Sequence, residues 1–134
     1  MKQVPIGARA ERSEVVERKH TLTHHHDQLP PVYSTPDMIR LMETACFHAL
    51  LPFHDEGEIN VGTAVNVEHR AATGIGSKVT AEAVLESFDG RFYVMRVRAW
   101  ADESGAKKEI GRGTVSRAIV HVPTFLGRVK NGKS

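Results

Sequence analysis

The spacing of apolar residues predicts one long helix in the first half of the chain. Apolar residues recur at the helical period from Met38 to Leu51, and Pro52 ends the run. The four residues before it, 34–37, read Ser-Thr-Pro-Asp, which is typical of a helix start. A hydroxyl side chain can cap the unpaired amides, proline is tolerated in the first turn, and an acid interacts favourably with the positive end of the helix dipole.

The apolar face of this helix is unusually wide. When residues are placed at about 100° intervals, the apolar side chains cover roughly half of the circumference. They are Met38, Ile39, Leu41, Met42, Ala45, Cys46, Ala49 and Leu50. A helix that lies on a flat surface buries a narrower stripe, so we expect this one to be wrapped by a curved sheet.

The second half of the chain has the two-residue period of β-strands. Four strands are predicted in succession, and Asp89-Gly90 predicts a tight turn between the second and the third. A fifth, weaker strand is predicted before the helix, near Ser13–Thr23. The four later strands cover Ile59–Val67, Val79–Leu85, Phe92–Trp100 and Ile110–His121.

These elements predict a single α+β domain. One long helix wrapped by a curved antiparallel sheet of about five strands is the hotdog fold. We expect residues 1–12 to form an N-terminal extension, 13–126 the hotdog domain, and 127–134 a basic C-terminal tail. Such a sheet leaves exposed edge strands, which are commonly covered by a second copy, so a homodimer is expected.

Composition narrows the class of protein. The chain has 134 residues, a formal net charge of +2 and one cysteine, Cys46. The charge is too small and dispersed for a nucleic-acid-binding protein, and one cysteine forms neither an internal disulfide nor a cysteine-based zinc site. The first 14 residues lack the apolar core of an export signal, and no run of about 18 apolar residues occurs. We therefore expect a soluble cytoplasmic protein that binds neither nucleic acid nor membrane.

Glu43 is the first candidate for chemistry. It lies at the border of the apolar arc of the helix, beside Ile39 and Leu50, where a carboxylate is partly desolvated. Such a group can exchange protons near neutral pH and would point into any crevice between helix and sheet. The alternative is an ordinary boundary residue that pairs with Arg40 on the helix surface.

His69, Gly62 and Thr35 are further candidates. His69 ends a row formed by Val61, Thr63, Val65 and Val67, which the alternation assigns to one strand face. It can equally be a hydrogen-bonded core histidine.

Glycine within a strand, as at position 62, allows a backbone amide to approach another group closely, as an oxyanion donor must. Thr35 is fully explained as a helix cap or the neighbour of one.

No metal site is expected. The triplet His24-His25-His26 followed by Asp27 is the strongest metal candidate. Adjacent residues on an extended segment point in alternate directions, and no HExxH-type spacing places two ligands on one face. We interpret the triplet as a solvated loop.

Four short motifs in order resemble the fluoroacetyl-CoA thioesterase-like branch of hotdog thioesterases, over about residues 13–126. They are Ser34-Thr35-Pro36 leading into Leu41–Cys46, Val61-Gly62-Thr63, His69–Thr73 and Gly111–Ala118. The resemblance implies a dimeric acyl-CoA thioesterase that needs no metal or other cofactor, with Thr35, Glu43 and His69 at its active site. It also implies that the amide of Gly62 faces the thioester oxygen and that Arg117 contacts the pocket or the coenzyme.

The family's namesake closes its pocket with phenylalanines ahead of the threonine, whereas residues 29–33 here read Leu-Pro-Pro-Val-Tyr. We therefore expect the resemblance to extend to fold and hydrolysis, whereas it leaves open which acyl group, halogenated or not, is preferred.

The residues that the resemblance implies provide each group that thioester hydrolysis needs. A thioester carbonyl needs a nucleophile, a proton acceptor and donors for the developing oxyanion. We expect Glu43 to attack directly or to activate water, Thr35 to hydrogen-bond to it or complete a relay, and His69 to shuttle the proton. Two alternatives are a hotdog acyl-CoA hydratase or dehydratase, and a non-catalytic acyl-CoA-binding module.

Overall fold

A computed structural model describes residues 1–132 of the chain. Its dominant helix, α2, spans Thr35–Leu50. Ser34 is the N-cap, since its hydroxyl accepts a hydrogen bond from the amide of Asp37, and Pro36 lies in the first turn. The predicted helix start is therefore confirmed, and the end differs from the prediction by one residue.

Five antiparallel strands form one sheet in the order β1-β3-β4-β5-β2. The strands run over Arg9–Val15, Glu58–His69, Lys78–Phe88, Phe92–Glu103 and Ala106–His121 for β1 to β5. A short helix α1, Leu22–His25, precedes α2, and a third helix α3, Val122–Lys130, follows the last strand. Strands β1 and β2 are the two edges of the sheet.

The core lies between α2 and the concave face of the sheet. Seven of the eight side chains in the predicted apolar arc are buried, and Ile39 is half-buried. The sheet contributes alternate residues, among them Val79, Ala81, Met95 and Val97. A broad apolar helix face thus meets a curved sheet, as predicted.

A β-bulge in β2 corrects the predicted face of that strand. Gly62 pairs with Arg117 and Ala64 with Ser116, so Thr63 is one extra residue between two consecutive partners on β5. The bulge reverses the alternation. Val65, Val67 and His69 lie on the face toward α2, whereas Val61 lies on the opposite face, and the predicted single row from Val61 to His69 is wrong.

The first strand lies earlier than predicted. It covers Arg9–Val15 and not the region near Ser13–Thr23, because its pairing with β3 ends where Val15 meets Lys78, the first residue of β3. Beyond that point the chain has no strand to pair with. A 3-10 turn at Arg18–His20 follows.

The two predicted terminal segments contain regular structure. Strand β1 begins inside the predicted N-terminal extension, 1–12, and α3 runs into the predicted basic tail, 127–134. Positions 133 and 134 of that tail lie outside the described residues. Within residues 1–132, no helix combines the length and the apolar character needed to cross a membrane.

Two glycine substitutions test the packing of β2 on β5. A Cβ at Gly113 would collide with the backbone of Asn66 and Val67, which cannot move aside, whereas a Cβ at Gly127 in α3 meets open space. We expect Gly113→Ala to lower the free energy of unfolding by about 1–3 kcal/mol, as overpacking does. Gly127→Ala should be neutral or raise it by up to about 1 kcal/mol. Denaturant unfolding measures both, and equal stability of the two variants would contradict this packing.

Candidate active site

Helix α2 carries two of the predicted site residues at different points along its length. Thr35 is its first residue, and Glu43 follows eight positions later. At about 1.5 Å per residue, their backbones lie roughly 12 Å apart along the helix axis. Each is the centre of a separate side-chain cluster.

The first cluster joins Thr35 to His69. A hydrogen bond of 2.8 Å links the Thr35 hydroxyl to Nδ1 of His69, the last residue of β2. The amide of Tyr33 donates to the carbonyl of Thr73 and the amide of Ser34 to that of His20, which fixes the chain just before Thr35. A cavity of about 300 Å³ opens beside the pair, lined by Leu22, Val32, Tyr33, Arg70, Ala71 and Ala72.

The surroundings of His69 favour a neutral ring with one ring nitrogen available. Burial lowers the pKa of its imidazole, so the ring is neutral at pH 7. Among the residues that the structure describes, its Nε2 is the one buried side-chain nitrogen or oxygen atom without a hydrogen-bond partner. Buried polar atoms are normally satisfied, so this nitrogen is suited to a ligand.

A polar network anchors the start of α2 to the first strand. The Tyr33 hydroxyl donates to Glu14 at 2.6 Å, and Arg40 donates to both carboxylate oxygens of Glu14 at 2.7 Å. Burial raises the pKa of Tyr33, so its hydroxyl stays protonated. Arg40 is thus paired with β1 and with Asp37, and the sequence alternative in which Arg40 pairs with Glu43 is not what the structure shows.

The second cluster surrounds Glu43. Its Oε2 lies 3.4 Å from Nη1 of Arg117, and its side chain is 36% exposed. Gly62 faces this ion pair, because a Cβ added there would lie 2.9 Å from Glu43 Oε2 and 3.2 Å from Arg117 Nη1. A Cβ at this position would push the Glu43 carboxylate away from the strand, whereas glycine lets the two charged groups lie against β2. The adjoining cavity measures about 460 Å³.

Two hydrogen bonds to Asn60 fix the position of Arg117. Its Nε donates to Asn60 Oδ1 at 2.8 Å and its Nη2 to the Asn60 backbone carbonyl at 3.0 Å. Both residues are buried, and burial lowers the pKa of the guanidinium. Sequence reasoning missed Asn60. The available signal was a polar residue on the strand face occupied by Gly62, where apolar side chains are expected.

The five predicted site residues therefore fall into two groups within one chain. Thr35 and His69 form the first, and Glu43, Gly62 and Arg117 the second. His24, His25 and His26 are exposed. Within the described range, 1–132, no three His, Cys, Asp or Glu residues are grouped so that they could hold a metal ion.

Comparison with known proteins assigns the chain to a family. The family model of the fluoroacetyl-CoA-specific thioesterase matches residues 16–123. The chain belongs to the fluoroacetyl-CoA thioesterase family. The predicted class of enzyme, a thioester hydrolase, is therefore confirmed. The fluoroacetyl-CoA thioesterase of Streptantibioticus cattleyicolor is 37% identical over 131 residues, which cover 93% of this chain and 91% of that one.

Solved structures of the family confirm the fold. A fluoroacetyl-CoA thioesterase structure superposes with a TM-score of 0.87 at 35% identity and covers 99% of this chain and 100% of its own. A variant of that enzyme, 34% identical, was solved with acetyl-CoA, at a TM-score of 0.85 over 98% of this chain and 100% of its own. A hotdog-like protein from Thermanaerovibrio acidaminovorans has a TM-score of 0.86 at 21% identity over 98% of this chain and 94% of its own.

The protonation of His69 can be measured directly. Because burial lowers its pKa, we expect the His69 ring to titrate below the ordinary histidine value of 6.5 in a two-dimensional NMR titration. Thr35→Val, which removes the hydroxyl, should change the chemical shift of the His69 ring and leave those of histidines 24–26 unchanged. A His69 ring that titrates at or above 6.5 would contradict the buried geometry.

Proposed function

We propose that the protein hydrolyses an acyl-CoA thioester to the free acid and CoA, using Glu43, Thr35 and His69 without a metal ion. The observation that carries this proposal is the Thr35–His69 hydrogen bond beside a cavity, with the second ring nitrogen unpartnered. A hydroxyl bonded to a neutral imidazole is a typical arrangement for proton transfer at a carbonyl.

The proposed reaction divides the work between the two clusters. The Glu43 carboxylate attacks the thioester carbonyl or removes a proton from an attacking water, and the Gly62 amide stabilises the oxyanion. In the water route, the tetrahedral intermediate expels the CoA thiolate, and the proton that Glu43 removed from water passes to the neutral ring of His69 and from it to the thiolate. In the nucleophilic route, expulsion of the thiolate leaves a mixed anhydride on Glu43, and His69 removes a proton from the water that hydrolyses this anhydride and passes it to the thiolate. Thr35 orients the imidazole through the bond to Nδ1. Water supplies the oxygen of the acid product by either route.

We propose that the active protein is a homodimer joined along β2. This strand is an edge of the sheet, and residues 62–66 are exposed along it, including Val65 with 41% of its surface accessible. Uncovered apolar edges invite pairing with another strand. A two-fold axis beside β2 would join two five-stranded sheets into one.

The dimer brings the two clusters together. Two β2 strands related by a two-fold axis run antiparallel, so the end of one strand, with His69, approaches the earlier part of the other, with Gly62. Within one chain, Thr35 and Glu43 are roughly 12 Å apart along α2, too far to share one carbonyl. We propose that each site takes Glu43 and Gly62 from one copy and Thr35 and His69 from the other.

The substrate class follows from the relatives. A related thioesterase, 34% identical, was solved with acetyl-CoA. The cavity of about 300 Å³ beside His69 has room for a short acyl chain. Arg70, exposed at the rim of this cavity, is suited to bind a CoA phosphate. We also propose a cytoplasmic location, consistent with a single buried cysteine, Cys46.

Substitutions at both clusters test the assignment. We expect Glu43→Gln and His69→Ala each to lower the rate of thiol release from acyl-CoA by at least about a hundredfold, because each removes a proton-transfer group. The matched controls are Glu56→Gln and His24→Ala, which change exposed residues of the same types.

We would measure thiol release from short, branched, aromatic and halogenated acyl-CoA thioesters. Treatment with a chelator should leave the rate unchanged, because the proposed reaction uses no metal ion. Near-normal turnover by both site variants would remove these residues from the mechanism. Hydration of enoyl-CoA without thiol release would indicate a hydratase instead, and saturable binding without turnover would indicate a binding module.

The dimer has its own test. We expect light scattering at micromolar concentration to give twice the mass of the chain. Val65→Asp should shift the protein toward monomer and reduce thiol release, because it brings carboxylates together at the proposed seam. Ile6→Asp, at an exposed position near the opposite edge of the sheet, is the control and should remain dimeric. A fully active monomer would refute the shared site.

A further inference from the structure

We infer that Asn60 is a positioning residue for hydrolysis: it holds Arg117 so that one guanidinium nitrogen faces the carboxylate of Glu43. The inference rests on the proposed role of Glu43 as the group that acts on the thioester. Asn60 is 2% exposed and lies on β2, two residues before Gly62. Within residues 1–132, Arg117 is the one predicted site residue to which its side chain or backbone carbonyl is hydrogen-bonded.

Asn60 uses up two of the three guanidinium nitrogens. Its side-chain oxygen accepts from Nε and its carbonyl accepts from Nη2, which leaves Nη1 directed at Glu43. A guanidinium fixed at two points on a rigid strand cannot rotate away from the carboxylate. The carboxylate is thereby held beside Gly62.

The side-chain amide nitrogen of Asn60 also forms hydrogen bonds, on the side away from Arg117. Because arginine is only a donor, Oδ1 must face Arg117 and Nδ2 must point the other way. Nδ2 then donates to the carbonyl of Phe47, in the last turn of α2, at 3.2 Å and to Nε2 of His54 at 2.9 Å. Burial lowers the pKa of His54, which keeps that nitrogen available as an acceptor.

The result is a continuous chain of contacts from His54 through Asn60 and Arg117 to Glu43. It joins the end of α2 to two strands, and so fixes the position of Glu43 relative to Gly62. A small displacement of a reacting group can cost about a hundredfold in rate, so loss of the anchor should affect turnover more than binding.

The test compares Asn60→Ala and Asn60→Asp with Asn66→Ala. Asn60→Asp keeps the size of the side chain and the acceptor for Arg117 Nε, but it removes the amide that donates to the Phe47 carbonyl and to His54, so it breaks the link between this group and the end of α2. Asn66 is an exposed asparagine on the same strand and serves as the control. We expect both Asn60 variants to lower kcat at least about tenfold with KM changed less than about threefold, and the control to keep both constants.

A double-mutant cycle separates this inference from the proposed function. If Asn60 acts through Glu43, either Asn60 substitution should cause no further loss in the Glu43→Gln background. Folded Asn60 variants with near-normal kcat, a change confined to KM, or equal losses in both backgrounds would overturn the inference while Glu43→Gln remains inactive. An active Glu43→Gln variant would instead overturn the proposed function, and this inference with it. Melting temperatures identify any variant that fails to fold.

Discussion

The bulge at Thr63 is the constraint on which the arrangement of β2 depends. Gly62 and His69 are seven positions apart, so in a regular strand they would face opposite sides of the sheet. One extra residue between the Arg117 and Ser116 partners puts both on the side of α2. Gly62 can then accommodate Glu43, and His69 can reach Thr35. Bulges are common beside active sites for this reason.

The second constraint is the width of the apolar face of α2. The curved sheet buries about half of the helix, and Glu43 lies at the margin of this face. Thr35 is the first residue of the helix, where its hydroxyl meets the end of β2. Each of the two groups thus lies beside its own cavity, and we propose that a second copy of the chain brings them together.

Much of this architecture could be predicted from the periodicity of the sequence. The contacts of the site could be predicted less well. The cap at Ser34 and the apolar arc of α2 are local signals, and the structure confirms them. The bulge has no comparable local signal, because it depends on the register of β2 against β5, more than fifty positions away. The Asn60–Arg117 contact depends on the same register. Strand β1 lies earlier than predicted because its last paired residue, Val15, meets the first residue of β3, Lys78, and that register is not a local signal.

The central claim is that Glu43 of one copy and His69 of the other serve the same thioester. Co-expression of Glu43→Gln and His69→Ala chains with different affinity tags allows the mixed dimer to be purified and assayed. If the sites are shared between chains, one site of the mixed dimer carries both substitutions and the other carries neither. The mixed dimer should then have about half of the wild-type turnover, while both parent dimers are nearly inactive. A mixed dimer as inactive as its parents would contradict the account.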